Sequence, residues 1–278
     1  MAIVHIIILL ATGTVSGFFG GLLGVGGGVI MTPVQDMVYT AMGVAEDITI
    51  KLAFGTSLLV VLPTAISGAW RHHRKGAVWW KAAIIMGVCT AIVAFGAATL
   101  ATNLSGAGLK IAFGIIILTT GIRMLTAKLP EVEQEPRDNP WLWVAWAIPV
   151  GFVTGITGLG GGILLVPILV LALRFKIHSA VATSLAIMIF SSIGGVIGYI
   201  MNGLGIPDLP AYSIGYVHLP TWLMLSATSI GMVQVGAITA HRLPAKKIEY
   251  IFVALMFLMG LRMLGAGLGM LGIFDWPI

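Results

Sequence analysis

Long apolar runs set the pattern of this chain. They cover about 2–23, 52–70, 80–100 and 109–126, then 141–159, 179–201, 219–240 and 250–270. Most reach the roughly 20 residues that a helix needs to cross a bilayer. Two further runs, 29–43 and 163–173, are too short to cross, and each follows a cluster of glycines. A transmembrane barrel would instead show segments of about ten alternating residues. The pattern therefore predicts an all-α polytopic membrane protein. The first run, "MAIVHIIILLATGTVSG", lacks the basic flank of a signal peptide and reads as a span.

The two series of runs are one unit written twice. "GFFGGLLGVGGGVIMTP" (17–33) aligns without a gap on "GFVTGITGLGGGILLVP" (151–167), with eight of 17 positions identical. "AFGTSL" (53–58) matches "AVATSL" (180–185), and "GIRML" (121–125) matches "GLRML" (260–264). The expected organisation is a first repeat at 1–127, a polar cytoplasmic linker at 128–140 and a second repeat at 141–278. Each repeat is a glycine-broken helix hairpin plus three transmembrane helices. The runs alone leave open whether each break makes a re-entrant hairpin or two short crossings.

Charge placement decides the relative orientation of the repeats. If each half crossed four times, Lys and Arg would divide eight inside to seven outside. If each half makes an odd number of net crossings, 71–81, 123–140, 174–178 and 241–249 share one side. These segments hold twelve of the 15 Lys and Arg. Cytoplasmic segments carry the cationic excess, so the second arrangement is expected. It makes the repeats inverted and puts both termini outside the cytoplasm.

Composition narrows the class further. Of 278 residues, 58% are hydrophobic and 9% charged, with mean hydropathy +1.05. Soluble domains carry about 25% charged residues. The net charge of +5 reports orientation here, and no nucleic-acid partner is expected. The bilayer itself is the expected surrounding, and a homo-oligomer is compatible with the pattern. The lone Cys89 cannot form an intrachain disulfide and reads as a buried apolar residue. Trp79, Trp80, Trp141, Trp143 and Trp222 lie at run ends, where an aromatic belt would place them.

The glycine clusters carry the candidate chemistry. No Lys follows Gly28 or Gly162, so neither is a nucleotide P-loop, and a dinucleotide fingerprint would need a βαβ unit. A broken helix fits instead. Glycine tolerates an unwound turn, and successive unpaired N–H groups form an anion nest. The helices restarting near Val29 and Ile163 point their positive ends at the breaks. Gly26, Gly27 and Gly28, with Gly160, Gly161 and Gly162, are the expected anion-binding backbone. Gly17, Gly21, Gly151 and Gly155 read as close helix packing.

Thr56 with Ser57, and Thr183 with Ser184, occupy matched places after each break. They are candidate neutral donors, against the default that such hydroxyls bond the i−4 carbonyl. Arg262 lies inside the last span and joins the candidate anion-binding residues. Its counterpart Arg123 lies near a run end, where its head can reach the interface. Lys51 and His178 precede the TSL segments, where they could guard the entrances; a solvated loop is the favoured reading for each. Asp36 is an acid within an apolar run, but Val170 takes its place in the second half, which argues against a symmetric proton relay. Gln234 is placed to bond a neighbouring helix. His72, His73 and His241 fall in basic segments without metal-ligand spacing. No catalytic constellation occurs, and no cofactor or metal is expected.

The doubled block "GLLGVGGGVIMTP" and "GITGLGGGILLVP", each followed by a TSL segment, resembles the sulfite exporter TauE/SafE family over nearly the whole chain. The resemblance implies an inner-membrane permease for small sulfur-containing anions such as sulfite, thiosulfate or organosulfonates. The residues alone imply an inverted-repeat transporter for an anion. An anion channel of the same fold and a transporter of another small anion are the alternatives. A membrane enzyme would need ionisable residues gathered at one depth.

Overall fold

A computed structural model describes residues 2–126, 135–239 and 245–273, the side chains of 245–249 excepted. Most of the linker, His241 and the last five residues lie outside the described residues. Ten helices follow in order: α1 Ile3–Leu23, α2 Gly28–Ala41, α3 Glu46–His73, α4 Trp80–Thr102, α5 Gly106–Thr126, α6 Pro140–Thr157, α7 Gly162–Pro167, α8 Ile177–Gly203, α9 Leu219–Thr239 and α10 Ala245–Met270. Eight of them are long and apolar enough to cross a membrane; the exceptions are α2 and α7. The protein is therefore an all-α, multi-pass membrane protein.

Local chemistry sets the ends of these helices. Asn139 caps α6 by accepting from the Trp141 N–H, and Pro140 opens the helix with the φ it prefers. Gly24 and Gly158 close α1 and α6 in the left-handed conformation, donating to Gly20 O and Thr154 O. Pro33 and Pro167 occupy equal places after the two breaks. The α2 helix continues through its proline, whereas α7 passes into a π-helical turn at Ile168–Ala172. The short run read at 163–173 is thus only partly α-helical.

Small residues bring the helices together. Gly17 of α1 lies against the Ser229 backbone of α9, and Gly13 and Gly21 lie against Leu225 and Val233. Gly151 and Gly155 of α6 press in the same way on Thr90 and Ala94 of α4. Each contact leaves no room for a Cβ, which confirms the packing role of Gly17, Gly21, Gly151 and Gly155. The two pairs correspond under the repeat, and in both the partners run parallel. The helices that match each other run antiparallel. In α3 and α8, Phe54 meets Tyr199, Leu58 meets Gly195 and Gly68 meets Leu185. In α5 and α10, Gly114 meets Gly260 while Ala107 and Ile111 meet Gly267.

The second helix of the first half doubles back. Val4, His5 and Ile8 of α1 share a shallow cleft with Val34, Met37, Val38 and Ala41 of α2. The chain returns to the end it came from, so the first break forms a re-entrant hairpin. Two expectations from the sequence change here, and a third, for Gln234, is met. Lys51 lies within α3, buried and paired with Asp47 at 2.9 Å, and is no loop residue. Trp143 is fully buried, with Nε1 donating to Arg137 O, and belongs to the core rather than an interfacial belt. Gln234 does bond a neighbouring helix, donating to Ser67 O at 2.7 Å.

Candidate functional site

The two glycine breaks meet. A Cβ on Gly28 would lie 3.0 Å from Leu159 Cα of the other break, and one on Gly162 would lie 2.6 Å from Gly24 O. Both breaks adjoin Val61 of α3 and Met188 of α8. These two residues match under the repeat and stand near the midpoints of the two longest helices. About 28 residues of α3 rise roughly 42 Å, more than the roughly 30 Å hydrocarbon core, so its midpoint lies deep.

Backbone conformation explains the glycines. Gly24, Gly26 and Gly27 have φ of 70°, 78° and 72°, and Gly158, Gly160 and Gly161 have 68°, 74° and 87°. Side chains are strained in that region, so glycine is needed at six places. Gly28 and Gly162 have ordinary φ and serve close approach instead. Gly24 and Gly158, missed as site residues, show the same left-handed geometry. Their spacing of two before the GGG cluster was the signal that could have found them.

Among the described residues, the N–H groups of Val25 to Val29 and of Leu159 to Ile163 donate no hydrogen bond. In hydrocarbon an unpaired backbone group costs several kcal/mol. Two opposed sets of backbone donors thus meet where the breaks touch. The side chains around them supply few acceptors. Ser184 Oγ donates to Gly24 O at 3.1 Å, across the repeat boundary, and Ser191 Oγ donates to Gly160 O at 3.0 Å. Thr154 Oγ1 is buried beside Gly161, 2.6 Å from where a Cβ would stand, and has no partner among the described residues.

The hydroxyl pairs divide. Thr56 Oγ1 accepts from the His218 N–H at 2.9 Å, and Thr183 Oγ1 accepts from the Trp79 N–H at 3.1 Å. Thr56 thus ties the start of α9 to α3, and Thr183 ties the start of α4 to α8, a matched role in the two halves. Ser184 touches the first break. Ser57 joins Thr32 Oγ1 at 3.0 Å and accepts from Gln35 Nε2 at 2.7 Å. His218 is nearly fully buried, and burial pushes its imidazole below the ordinary histidine range, so it is neutral near pH 7.

Arg262 of α10 is half-buried, and its Nε has no hydrogen-bond partner among the described residues. It interacts with the charge of Asp36, nine residues beyond Gly27 along the α2 rise. At 1.5 Å per residue that is roughly 13 Å from the break. Asp36 itself pairs with Lys110 at 3.0 Å, both side chains almost fully buried, and accepts from Thr49 Oγ1 at 2.6 Å. Sequence reading singled out Asp36 but missed Lys110, which is 74 positions away. His178 is exposed in the first turn of α8.

A family model described as sulfite exporter TauE/SafE matches residues 9–263. The chain belongs to the TauE/SafE family. A probable membrane transporter protein of Methanocaldococcus jannaschii is 30% identical over 258 residues, spanning 92% of this chain and 94% of the relative. One of Haemophilus influenzae is 27% identical over 258 residues, spanning 93% and 97%. The YunE protein of Bacillus subtilis, with the same description, is 28% identical over 215 residues, spanning 71% and 79%. No solved structure matches. This TauE/SafE chain is thus a membrane permease by family, and its relatives are described as probable membrane transporter proteins. No group of three or more His, Cys, Asp or Glu suited to a metal occurs among the described residues. In the TauE/SafE chain the donors at the paired breaks are neutral backbone N–H groups.

Proposed function

We propose that this permease carries small sulfur-containing anions, such as sulfite, thiosulfate or organosulfonates, by alternating access. The observation that carries the reading is the direct meeting of two glycine breaks, each with unpaired backbone N–H groups. Those groups and the Thr154 hydroxyl replace part of the anion's water shell. The antiparallel run of α3 on α8 and of α5 on α10 supports inverted repeats, because a two-fold axis in the membrane plane reverses each matched helix. The halves then rock against one another about the breaks. Met188 and Val61 fill the space between the breaks in the present arrangement and withdraw when the anion enters.

The cation-rich end, holding 71–81 and Asp138 bonded to Lys81, faces the cytoplasm of the inner membrane. The start of α1 and the end of α10 lie at the other end. A doubly charged anion leaving a cell at −100 mV gains roughly 4.6 kcal/mol, at about 2.3 per charge, so export needs no coupling ion. Flux assays in proteoliposomes with a panel of sulfur oxyanions test the reading. Saturable flux of at least one is expected; ohmic single-channel steps would make the protein a channel, and no flux from intact protein would remove the assignment.

The Thr154 hydroxyl gives a narrower test. Replacing an unpartnered buried hydroxyl by an apolar isostere is near neutral for folding. Thr154→Val should therefore leave the melting temperature unchanged and weaken anion affinity about 5- to 10-fold, the loss of one hydrogen bond of about 1–1.5 kcal/mol. Unchanged affinity, read by ligand-induced thermal shift, would take Thr154 out of the site.

A further inference from the structure

The two hairpins match in backbone and differ in lining. Position by position, Thr32, Gln35 and Tyr39 of α2 correspond to Val166, Leu169 and Leu173 after the second break. The helix starts differ likewise. His218 and Trp79 play the same backbone part toward Thr56 and Thr183, yet one brings an imidazole and the other an indole. The second hairpin closes on an apolar cluster that includes Leu165, Leu169, Leu173, Trp143 and Phe175. The same framework therefore packs with apolar residues, and the fold does not require the polar lining of the first.

That lining is continuous. Gly28, Thr32, Gln35 and Tyr39 recur at i, i+4, i+7 and i+11, one stripe down α2 from the break. All three side chains are fully buried, as are Thr56 and Ser57. Gln35 Nε2 donates to Ser57 Oγ, Ser57 meets Thr32, and Tyr39 OH reaches Gln35 Oε1 and Thr56 Oγ1 at 3.4 Å each. Beyond Tyr39, whose ring lies edge-on to His218 at 5.7 Å, His218 Nδ1 and Thr221 Oγ1 are 2.8 Å apart. The two Tyr39 bonds are long, while the Gln35–Ser57 bond is short and well formed. The Gln35 amide carries a second N–H that the bond to Ser57 does not use.

We propose that the Thr32–Gln35–Ser57 face is a one-sided oxyanion subsite continuous with the first glycine break. Gln35 supplies an amide N–H and Ser57 an O–H to the anion's oxygens, whereas the matched Leu169 packs into the apolar cluster of its own half. This rests on the anion-carrier reading above and makes the first repeat the one that selects among oxyanions. A neutral amide with hydroxyl donors favours a compact acceptor-rich group, such as a sulfite or sulfonate head, over a halide, which presents no separate oxygens to the three positions.

The test is sulfite and chloride flux, with sulfite-induced thermal shift, for wild type, Gln35→Leu, Gln35→Glu, Ser57→Ala and the mirror control Leu169→Met. Gln35→Leu installs the residue of the other half and should raise KM for sulfite at least tenfold. Gln35→Glu keeps the shape and should abolish sulfite-induced stabilisation by repulsion. Ser57→Ala should lower the preference for sulfite over chloride, and Leu169→Met should stay within twofold of wild type. If Gln35→Leu does not fold, Gln35→Glu and Ser57→Ala decide by the same readouts. Wild-type flux of sulfite with unchanged KM and selectivity in the variants overturns the subsite alone. A wild type that moves none of the sulfur oxyanions overturns the carrier reading and this inference with it.

Discussion

Gly162→Ala should slow transport by about fivefold or more while Gly96→Ala leaves it unchanged. The added methyl at 162 would stand 2.6 Å from Gly24 O, 2.7 Å from Met188 Sδ and 2.8 Å from Val25 C. A methionine end can swing aside, but the backbone of the opposing break cannot retreat without moving the site. Overpacking of this kind costs about 1–3 kcal/mol, which corresponds to about 5- to 150-fold in the population of the state with the breaks together. The φ of Gly162 is ordinary, so the effect reports the contact between breaks and not local strain. Gly28→Ala meets Leu159 Cα at 3.0 Å and should be milder, and Gly96 has open space around it. Initial flux rates normalised to reconstituted protein give the order. Wild-type rates for Gly162→Ala would mean that the two breaks need not meet during transport.

Lys110→Met should destabilise the protein by about 3–5 kcal/mol, because it leaves the Asp36 carboxylate buried without its cation. Thr49 still donates to Asp36 and Arg262 still interacts with its charge, yet neither replaces an ammonium at 3.0 Å. The double variant Asp36→Val with Lys110→Met should recover most of the loss. Valine is the residue that the second half carries at this place, as Val170, so the framework accepts it. Fluorescence-detected size-exclusion chromatography after heating measures both. A double variant no more stable than Lys110→Met alone would contradict a paired role. If the double variant also transports at the wild-type rate across pH 6–8, Asp36 is a structural charge and carries no proton.

Much of this was legible in the sequence, for reasons particular to each part. Run lengths marked eight membrane-length helices because the bilayer imposes a length. The duplicated "GVGGG" and "GLGGG" marked two breaks, because only glycine takes up the left-handed residues at 24, 26 and 27 and at 158, 160 and 161. Less could be said about which face of each helix turns inward. In a bilayer the lipid-facing and core-facing sides are both apolar, so amphipathic periodicity fades. Trp143 therefore read as an interfacial residue although it is fully buried. Lys51 read as a loop residue because its charge stood out, whereas Asp47, one turn earlier, lets it sit inside α3. The threonines of the TSL segments read as candidate donors to the anion, yet Thr56 and Thr183 each accept an N–H from the start of another helix.

By itself the sequence determined the membrane class, the duplication, the places where two helices must break and the family. These follow from local constraints: span length, repeated strings and the conformations open to glycine. Tertiary structure alone decided that the breaks touch, that Met188 and Val61 lie beside both of them, that Lys110 answers Asp36 across 74 residues and that Thr32, Gln35 and Ser57 form one hydrogen-bonded set. The reason is physical. Each of these is a contact between segments far apart in the chain, fixed by how small residues let helices approach, and no local pattern encodes which distant surface a helix will meet.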